Sequence, residues 1–363
     1  MVDRYSKIRA PIGGESDLSR RLDRMAQPGK LYRQLDRGRV ECLACALRCR
    51  INAGGRGVCQ VRYNRDGNLH VPWGYAASLQ HDPVEKKPFY HVLPGEGAFT
   101  FGMLGCDMHC PYCQNWQISQ TMRDASAGAR ASEISPEHIV DMALAAGARC
   151  LASSYNEPLI SAEWGREIFA IGKKHDLKGL FVSNGNASEE VLAYLRPYMH
   201  AIKIDLKSMR AENYRRLGGV LKYVLEGIRL AVEMGFWVEV VTLVVPGFND
   251  SEEELAETAA FLAGLSTEIP WHLTAYYPTY KMTGPARTPR EALVRGVEIG
   301  YRSGLHFVYA GNIPGGVGRY ENTYCPDCSE LLVERKGYRV RKRGISEMGN
   351  CHGCGREISG IWR

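Results

Sequence analysis

Residues 99–113 read FTFGMLGCDMHCPYC. A short apolar run rich in aromatic residues, 99–103, is followed by Gly105 and then by three thiols, Cys106, Cys110 and Cys113. An apolar run of this length closed by glycine predicts a buried β-strand, so the thiols fall in the loop at its carboxyl end. A cubane iron–sulfur cluster is normally held by four cysteines. Three leave one iron open, and an open iron can chelate a small molecule through an amine and a carboxylate.

Further apolar runs of strand type follow at 150–154, 180–183, 201–206, 237–245, 271–276 and 306–310. Segments of helical period lie between most of them. Leu221, Val224, Leu225, Ile228 and Val232 keep to one helical face. Ser135-Pro136-Glu137 and Thr288-Pro289-Arg290 predict helix starts, each a capping hydroxyl followed by proline. Strand–helix alternation means a parallel sheet in an α/β fold. The run count suits a whole or partial (β/α) barrel better than a small open sheet, with an open doubly wound sheet as the alternative. Each run leads into a polar or Gly/Pro-rich stretch, among them Tyr155-Asn156-Glu157-Pro158, Asn184-Gly185-Asn186, Asp205-Leu206-Lys207, Pro246-Gly247-Phe248-Asn249-Asp250, Pro278-Thr279-Tyr280-Lys281 and Gly311-Asn312-Ile313-Pro314-Gly315. These would share the carboxyl-end rim, where barrel enzymes build their sites.

Of the 12 cysteines, all but Cys150 fall into three groups. Cys42, Cys45, Cys49 and Cys59 precede the central three, and Cys325, Cys328, Cys351 and Cys354 follow them. Clustered thiols in a long chain read as metal ligands rather than as a disulfide framework, which belongs to small secreted domains. Residues 1–30 hold no apolar signal segment, and acidic residues and glycines interrupt their arginines, so a transit peptide is not the favoured reading. Free thiolates then imply the reducing cytoplasm. The 363 residues are 45% apolar, without a run of the ~18 residues a membrane helix needs. A net charge of +6 suits an anionic ligand and is too weak to call for nucleic acid.

CDMHCPYC resembles the CxxxCxxC signature of the radical S-adenosylmethionine (SAM) superfamily, including an aromatic residue, Tyr112, before the third cysteine. The resemblance runs over about residues 95–315 and is closest to the group around pyruvate formate-lyase activating enzyme. Within that group, ECLACALRC near the amino end, SYNEP, KIDLK and YAGN resemble the AmmeMemoRadiSam-system proteins. It implies a partial (β/α) barrel of radical SAM type over 91–315, with small Cys-rich modules at 1–90 and 316–363. It also implies a [4Fe–4S] cluster on Cys106, Cys110 and Cys113 that cleaves SAM reductively, with Tyr112 over the adenine. Glu157 takes the place of the residue that contacts the SAM amine, and Asp205 and Lys207 those that bind the ribose and the carboxylate. Ser183-Asn184-Gly185 matches a Thr-Asn-Gly segment. Two departures stand out: Val182 replaces an aspartate before that segment, and the run of Tyr276, Tyr277 and Tyr280 replaces a histidine after the sixth strand. The partners implied are a flavodoxin- or ferredoxin-type reductant and proteins of the same gene neighbourhood. Substrate and oligomeric state are not readable.

The outer groups read on spacing. Cys325-x2-Cys328 and Cys351-x2-Cys354 are two knuckles of a zinc ribbon, with His352 left over as a non-ligand. Cys42-x2-Cys45-x3-Cys49-x9-Cys59 makes one four-Cys site, for zinc or a second [4Fe–4S] cluster, with zinc the preferred reading. Gly54-Gly55-Arg56-Gly57 would turn the chain back to present Cys59. A nucleic-acid-binding or scaffold protein with three zinc modules is the rival, but it leaves the three-thiol count of the central group unexplained.

Overall fold

The structure, a computed structural model, describes residues 17–313 and 316–363; Pro314 and Gly315 of the last rim loop, and residues 1–16, lie outside the described residues. Its centre is an eight-stranded sheet of β1 (Ser78–Pro83), β2 (Gly97–Gly102), β3 (Cys150–Ser153), β4 (Lys178–Ser183), β5 (Met199–Asp205), β6 (Trp237–Val244), β7 (Trp271–Ala275) and β8 (Val308–Gly311). The strands lie side by side in chain order. β1 pairs antiparallel to β2, and every pairing from β2 to β8 is parallel. With β1 and β8 as edges, this is a partial (β/α) barrel. All seven apolar runs became strands. β1 escaped notice because SLQHDP is neither alternating nor apolar; it joins the sheet as an edge ribbon with Gln80 and His81 exposed.

The crossovers are α1 (Pro136–Ala145), α2 (Ala162–Lys173), α3 (Glu189–Leu195), α4 (Ala211–Leu217), α5 (Leu221–Glu233), α6 (Glu252–Leu265) and α7 (Arg290–Arg302). Ser135, Ser188 and Ser251 cap α1, α3 and α6 by accepting a backbone N–H, which satisfies a donor the helix cannot. Thr288 is not such a cap. Its hydroxyl accepts from Tyr276 N and donates to Val244 O, tying the ends of β6 and β7 together ahead of α7. α5 buries Val224 and Ile228 as its periodicity requires. No helix of the described residues is long and apolar enough to cross a membrane.

Alternation along the strands puts Ala98, Cys150, Ala152, Leu180 and Ala201 together, and Val84, Phe89, Val92 and Leu93 pack onto them. The lone Cys150 is therefore a core residue. Nearby, Glu239, Arg335 and the ring of His91 knit the segment around residue 90 to β6 and to the C-terminal module. Glu239 accepts from Tyr90 N and His91 N, and His91 Nε2 lies 2.7 Å from Tyr309 Oη. Arg335 stacks over Tyr90.

The C-terminal module is a three-stranded antiparallel sheet, Thr323–Tyr324, Leu331–Lys336 and Arg339–Lys342. Its apolar side shares a core with Phe307 and Tyr309 at the start of β8. The N-terminal region forms two small antiparallel sheets and docks at the opposite end of the strands. There Ala46 N donates to Asn186 O, Ser188 Oγ to Leu43 O, and Arg48 pairs with Glu190.

Candidate active site

The turn after β2 needs a left-handed residue, supplied by Gly105 at φ 94°. The cysteine loop then folds over the rim. Met108 N donates to Cys106 Sγ (3.4 Å), and Cys113 Sγ lies 3.2 Å from Ser119 Oγ. Cys110 is buried, and Cys106 and Cys113 are half-buried. Burial, with Asp107 and Glu157 close by, pushes the Cys106 thiol well up. Burial also pushes the Cys110 thiol up to about 12, against the pull of Lys207. Such thiols ionise on binding a metal, whose charge replaces the proton.

Among the described residues, the one group of His, Cys, Asp or Glu whose ligand atoms all lie within 4.8 Å of one another is the C-terminal quartet. The central three thiols are not all within that distance of one another. Ligands to separate irons of one cubane need such room, whereas ligands to a single ion do not.

The predicted SAM residues gather in two groups beside this loop. On the β3–β4 side, Glu157 Oε1 accepts from Ser183 Oγ (2.7 Å) and Leu159 N (3.1 Å), and Oε2 accepts from Asn184 N (2.7 Å). Glu157 thus also caps the turn Pro158–Ser161, the bland role of a strand-end carboxylate. Burial, then Asp107, pushes its carboxyl up to about 8. Asp107 lies inside the cysteine motif and is itself buried. It accepts from Asn184 Nδ2 (2.7 Å) and Asn186 Nδ2 (2.8 Å), so it joins the cysteine loop to the β4 rim. Neither Asp107 nor Asn186 was a predicted site residue; the adjacency of Asp107 to Cys106 was the available signal.

On the other side, Asp205 stands between Lys203 and Lys207. Desolvation pushes its carboxyl up, but Lys203 and Lys207 outweigh it and hold it at about 2. Lys203, buried and two residues earlier on β5, is a partner the sequence reading missed. Lys207 Nζ bonds Asp205 Oδ2 at 3.1 Å, while its backbone N donates to Tyr214 Oη and its carbonyl accepts from Asn249 Nδ2. Tyr112 is buried edge-on to Phe248 of the loop after β6, with ring centroids 5.9 Å apart.

The three tyrosines after β7 serve that loop. Tyr276 Oη donates to Met282 O, Tyr277 Oη to Asn312 O and Tyr280 Oη to Asp124, while the Tyr280 ring stacks on Trp116. Lys281 N and Met282 N both donate to Pro111 O, so the loop clasps the cysteine motif from the β7 side. Val182 packs against the apolar cluster around Phe89 and has no polar role.

In the C-terminal quartet, Cys325 and Cys354 approach to 3.5 Å and Cys328 and Cys351 to 3.6 Å. The two knuckles repeat one hydrogen-bond pattern. Cys325 N donates to Glu330 O and Ser329 N to Cys325 O; Cys351 N donates to Arg356 O and Gly355 N to Cys351 O. Ser329 and Gly355 are left-handed at the same step. Burial pushes the Cys351 thiol up, but the N–H groups of Cys354 and Gly353 outweigh it and hold it at about 7. His352 stands outside the quartet.

A three-thiol loop on the carboxyl-end rim of a partial barrel, with carboxylates and lysines on two sides, is a donor set that fits an iron–sulfur cluster with one iron left open. Residues 101–262 match the radical SAM superfamily. The uncharacterized protein MJ0808 of Methanocaldococcus jannaschii is 35% identical over 331 residues, spanning 90% of this chain and 97% of that protein. A pyruvate formate-lyase-activating enzyme of Staphylococcus aureus is 23% identical over 183 residues, 48% of this chain and 72% of that one. Among solved structures, a radical SAM methyltransferase from Sphaerobacter thermophilus covers 81% of this chain and 80% of its own at a TM-score of 0.47 and 15% identity. The chain belongs to the radical SAM superfamily, on the activating-enzyme-like side.

Proposed function

We propose that this protein cleaves SAM reductively at a [4Fe–4S] cluster held by Cys106, Cys110 and Cys113, and uses the product to abstract hydrogen from a peptide, protein or small-molecule substrate. The observation that carries this is the count of three thiols in one rim loop between two polar groups, one around Glu157 and one around Asp205 and its lysines. When bound, the cluster supplies one electron to the sulfonium of SAM and a 5′-deoxyadenosyl radical results. The chain's own part is positioning. Asp205 and Lys207 receive the ribose and carboxylate, Glu157 with Ser183 and Asn184 faces the amine, and Tyr112 meets the adenine. The C-terminal quartet holds zinc in a structural role. The protein works in the cytoplasm with a flavodoxin- or ferredoxin-type donor.

Asp205→Ala should weaken SAM binding about ten- to a hundred-fold, the equivalent of roughly 1.5–3 kcal/mol for one charged hydrogen bond, with iron content unchanged. Calorimetry on cluster-loaded protein checks this, and unchanged affinity would leave Asp205 as a strand-end ion pair alone.

The preferred substrate is one carried by, or processed with, proteins of the gene neighbourhood. Two observations support it over glycyl-radical installation, the reading that the likeness to pyruvate formate-lyase-activating enzyme favours. The rim carries tyrosines that hold a loop where that group has a histidine, and the N-terminal region docks on the β4–α3 side of the rim. Reduced enzyme and SAM should be mixed with each neighbouring protein. A mass change on one of them, without a glycyl signal in electron paramagnetic resonance, is expected. A stoichiometric SAM-dependent glycyl doublet would reverse the preference.

A further inference from the structure

The N-terminal cysteines are brought together by main-chain geometry. Cys42 ends the strand Val40–Cys42, and its N donates to Cys49 O (2.9 Å). Arg48, left-handed at φ 45°, closes a turn on Cys45 O. Gly57 N donates to Arg62 O and Gln60 N to Gly57 O, which folds Cys59 back toward the others. Cys42, Cys45, Cys49 and Cys59 line one pocket together with Arg62 and Asp107. Val58 N points at Cys49 Sγ (3.5 Å).

Arg62 is 1% exposed and bonds Glu163 through both terminal nitrogens, at 2.7 and 2.8 Å. Its Nε has no partner among the described residues. The Arg62 charge is met by Glu163, and its unused Nε–H, in a residue lining a pocket of four thiols, suits an acceptor bound there, since orphaned buried donors are costly. Both zinc and an iron–sulfur cluster in four thiolates are anionic, so charge alone does not choose between them.

Spacing does. The C-terminal quartet of the same chain is an internal standard. Its approaches of 3.5 and 3.6 Å are close to the edge of a tetrahedron, roughly 3.8 Å, that follows from a Zn–S bond of ~2.3 Å. Among the described residues no other such group has its ligand atoms all within 4.8 Å, so no three of the N-terminal thiols close up as zinc ligands do. Burial separates the two quartets as well. Cys42, Cys45 and Cys59 are buried and Cys49 is half-buried, whereas in the C-terminal quartet Cys325 and Cys351 are buried and Cys328 and Cys354 are exposed.

We infer that Cys42, Cys45, Cys49 and Cys59 hold a second iron–sulfur cluster rather than zinc. Asp107 is the wall it shares with the SAM site. The carboxylate lines the N-terminal pocket, and Oδ1 lies 3.7 Å from Cys106 Sγ. The two sets of thiols therefore stand one side chain apart. The assignment rests on reading the central three cysteines as the SAM cluster only for the identity of that neighbour.

The test is metal and sulfide analysis of anaerobically purified full-length protein and of its C106A/C110A/C113A variant. The wild type should hold about eight irons and the variant about four, each with a matching amount of sulfide and about one zinc. A colourless variant with two zincs overturns the inference and leaves the SAM-cluster reading intact. A variant that keeps iron and still forms 5′-deoxyadenosine overturns the SAM-cluster reading instead. As a check that needs no variant, reduced wild-type protein should give two paramagnetic cluster signals, only one of which shifts on adding SAM. A single signal that shifts completely overturns the inference.

Discussion

Replacement of Cys106, Cys110 or Cys113 by alanine should remove the iron of the proposed SAM cluster and abolish 5′-deoxyadenosine formation, while leaving the zinc proposed for the C-terminal module in place. The carboxylate of the loop, Asp107, is already held by Asn184 and Asn186. His109 lies within the motif but points elsewhere: its backbone N donates to Leu217 O, and its ring lies so close over Gly218 that an added Cβ there would come within 2.3 Å of it. Among the described residues, the hydroxyl bonded to these sulfurs is that of Ser119, which already donates to or accepts from the Cys113 thiol. Two thiols cannot replace three on a cluster that is already one ligand short of the usual four. Iron analysis and product chromatography under reducing anaerobic conditions check this. Retained 5′-deoxyadenosine in any of the three variants would show that the cluster lies elsewhere.

The next largest effect should come from Cys351→Ser or Cys325→Ser, each losing about one zinc per chain. For a structural zinc the binding energy is folding energy, about 10–16 kcal/mol in small zinc modules, which matches or exceeds the ~5–15 kcal/mol by which whole domains are stable. The module should therefore come loose. The damage should also reach the barrel, because Phe307 and Tyr309 share a core with Leu332, Val333 and Trp362, and Arg335 reaches across to Tyr90 O. Hydrogen exchange should rise over 323–362 and around residues 90 and 308, with the iron colour unaffected. If the brown colour went instead, the quartet would be an iron site.

Much of this was readable before any coordinates. Apolar runs became β2 to β8 because parallel strands buried on both faces need little else. The cysteine spacings marked the rim loop and the C-terminal quartet because thiols in tight groups have few other uses. What could not be read depended on the partners of single polar atoms. Thr288 carries every mark of a helix cap, yet it is taken by two strand ends. Tyr276, Tyr277 and Tyr280 could have lined a pocket, and their hydroxyls instead hold one loop. Asp107 and Arg62 gain meaning only from residues such as Asn184 and Glu163, about a hundred or fewer positions away along the chain, which meet them across the rim.

The most direct measurement is the reaction itself. Anaerobic, cluster-loaded protein should be incubated with SAM and dithionite, and its products separated by chromatography and mass spectrometry. Formation of 5′-deoxyadenosine and methionine in equal amounts, dependent on reductant and absent from Cys110→Ala, is the predicted result. Intact SAM after full reduction of the cluster, or cleavage that Cys110→Ala leaves unchanged, would contradict it.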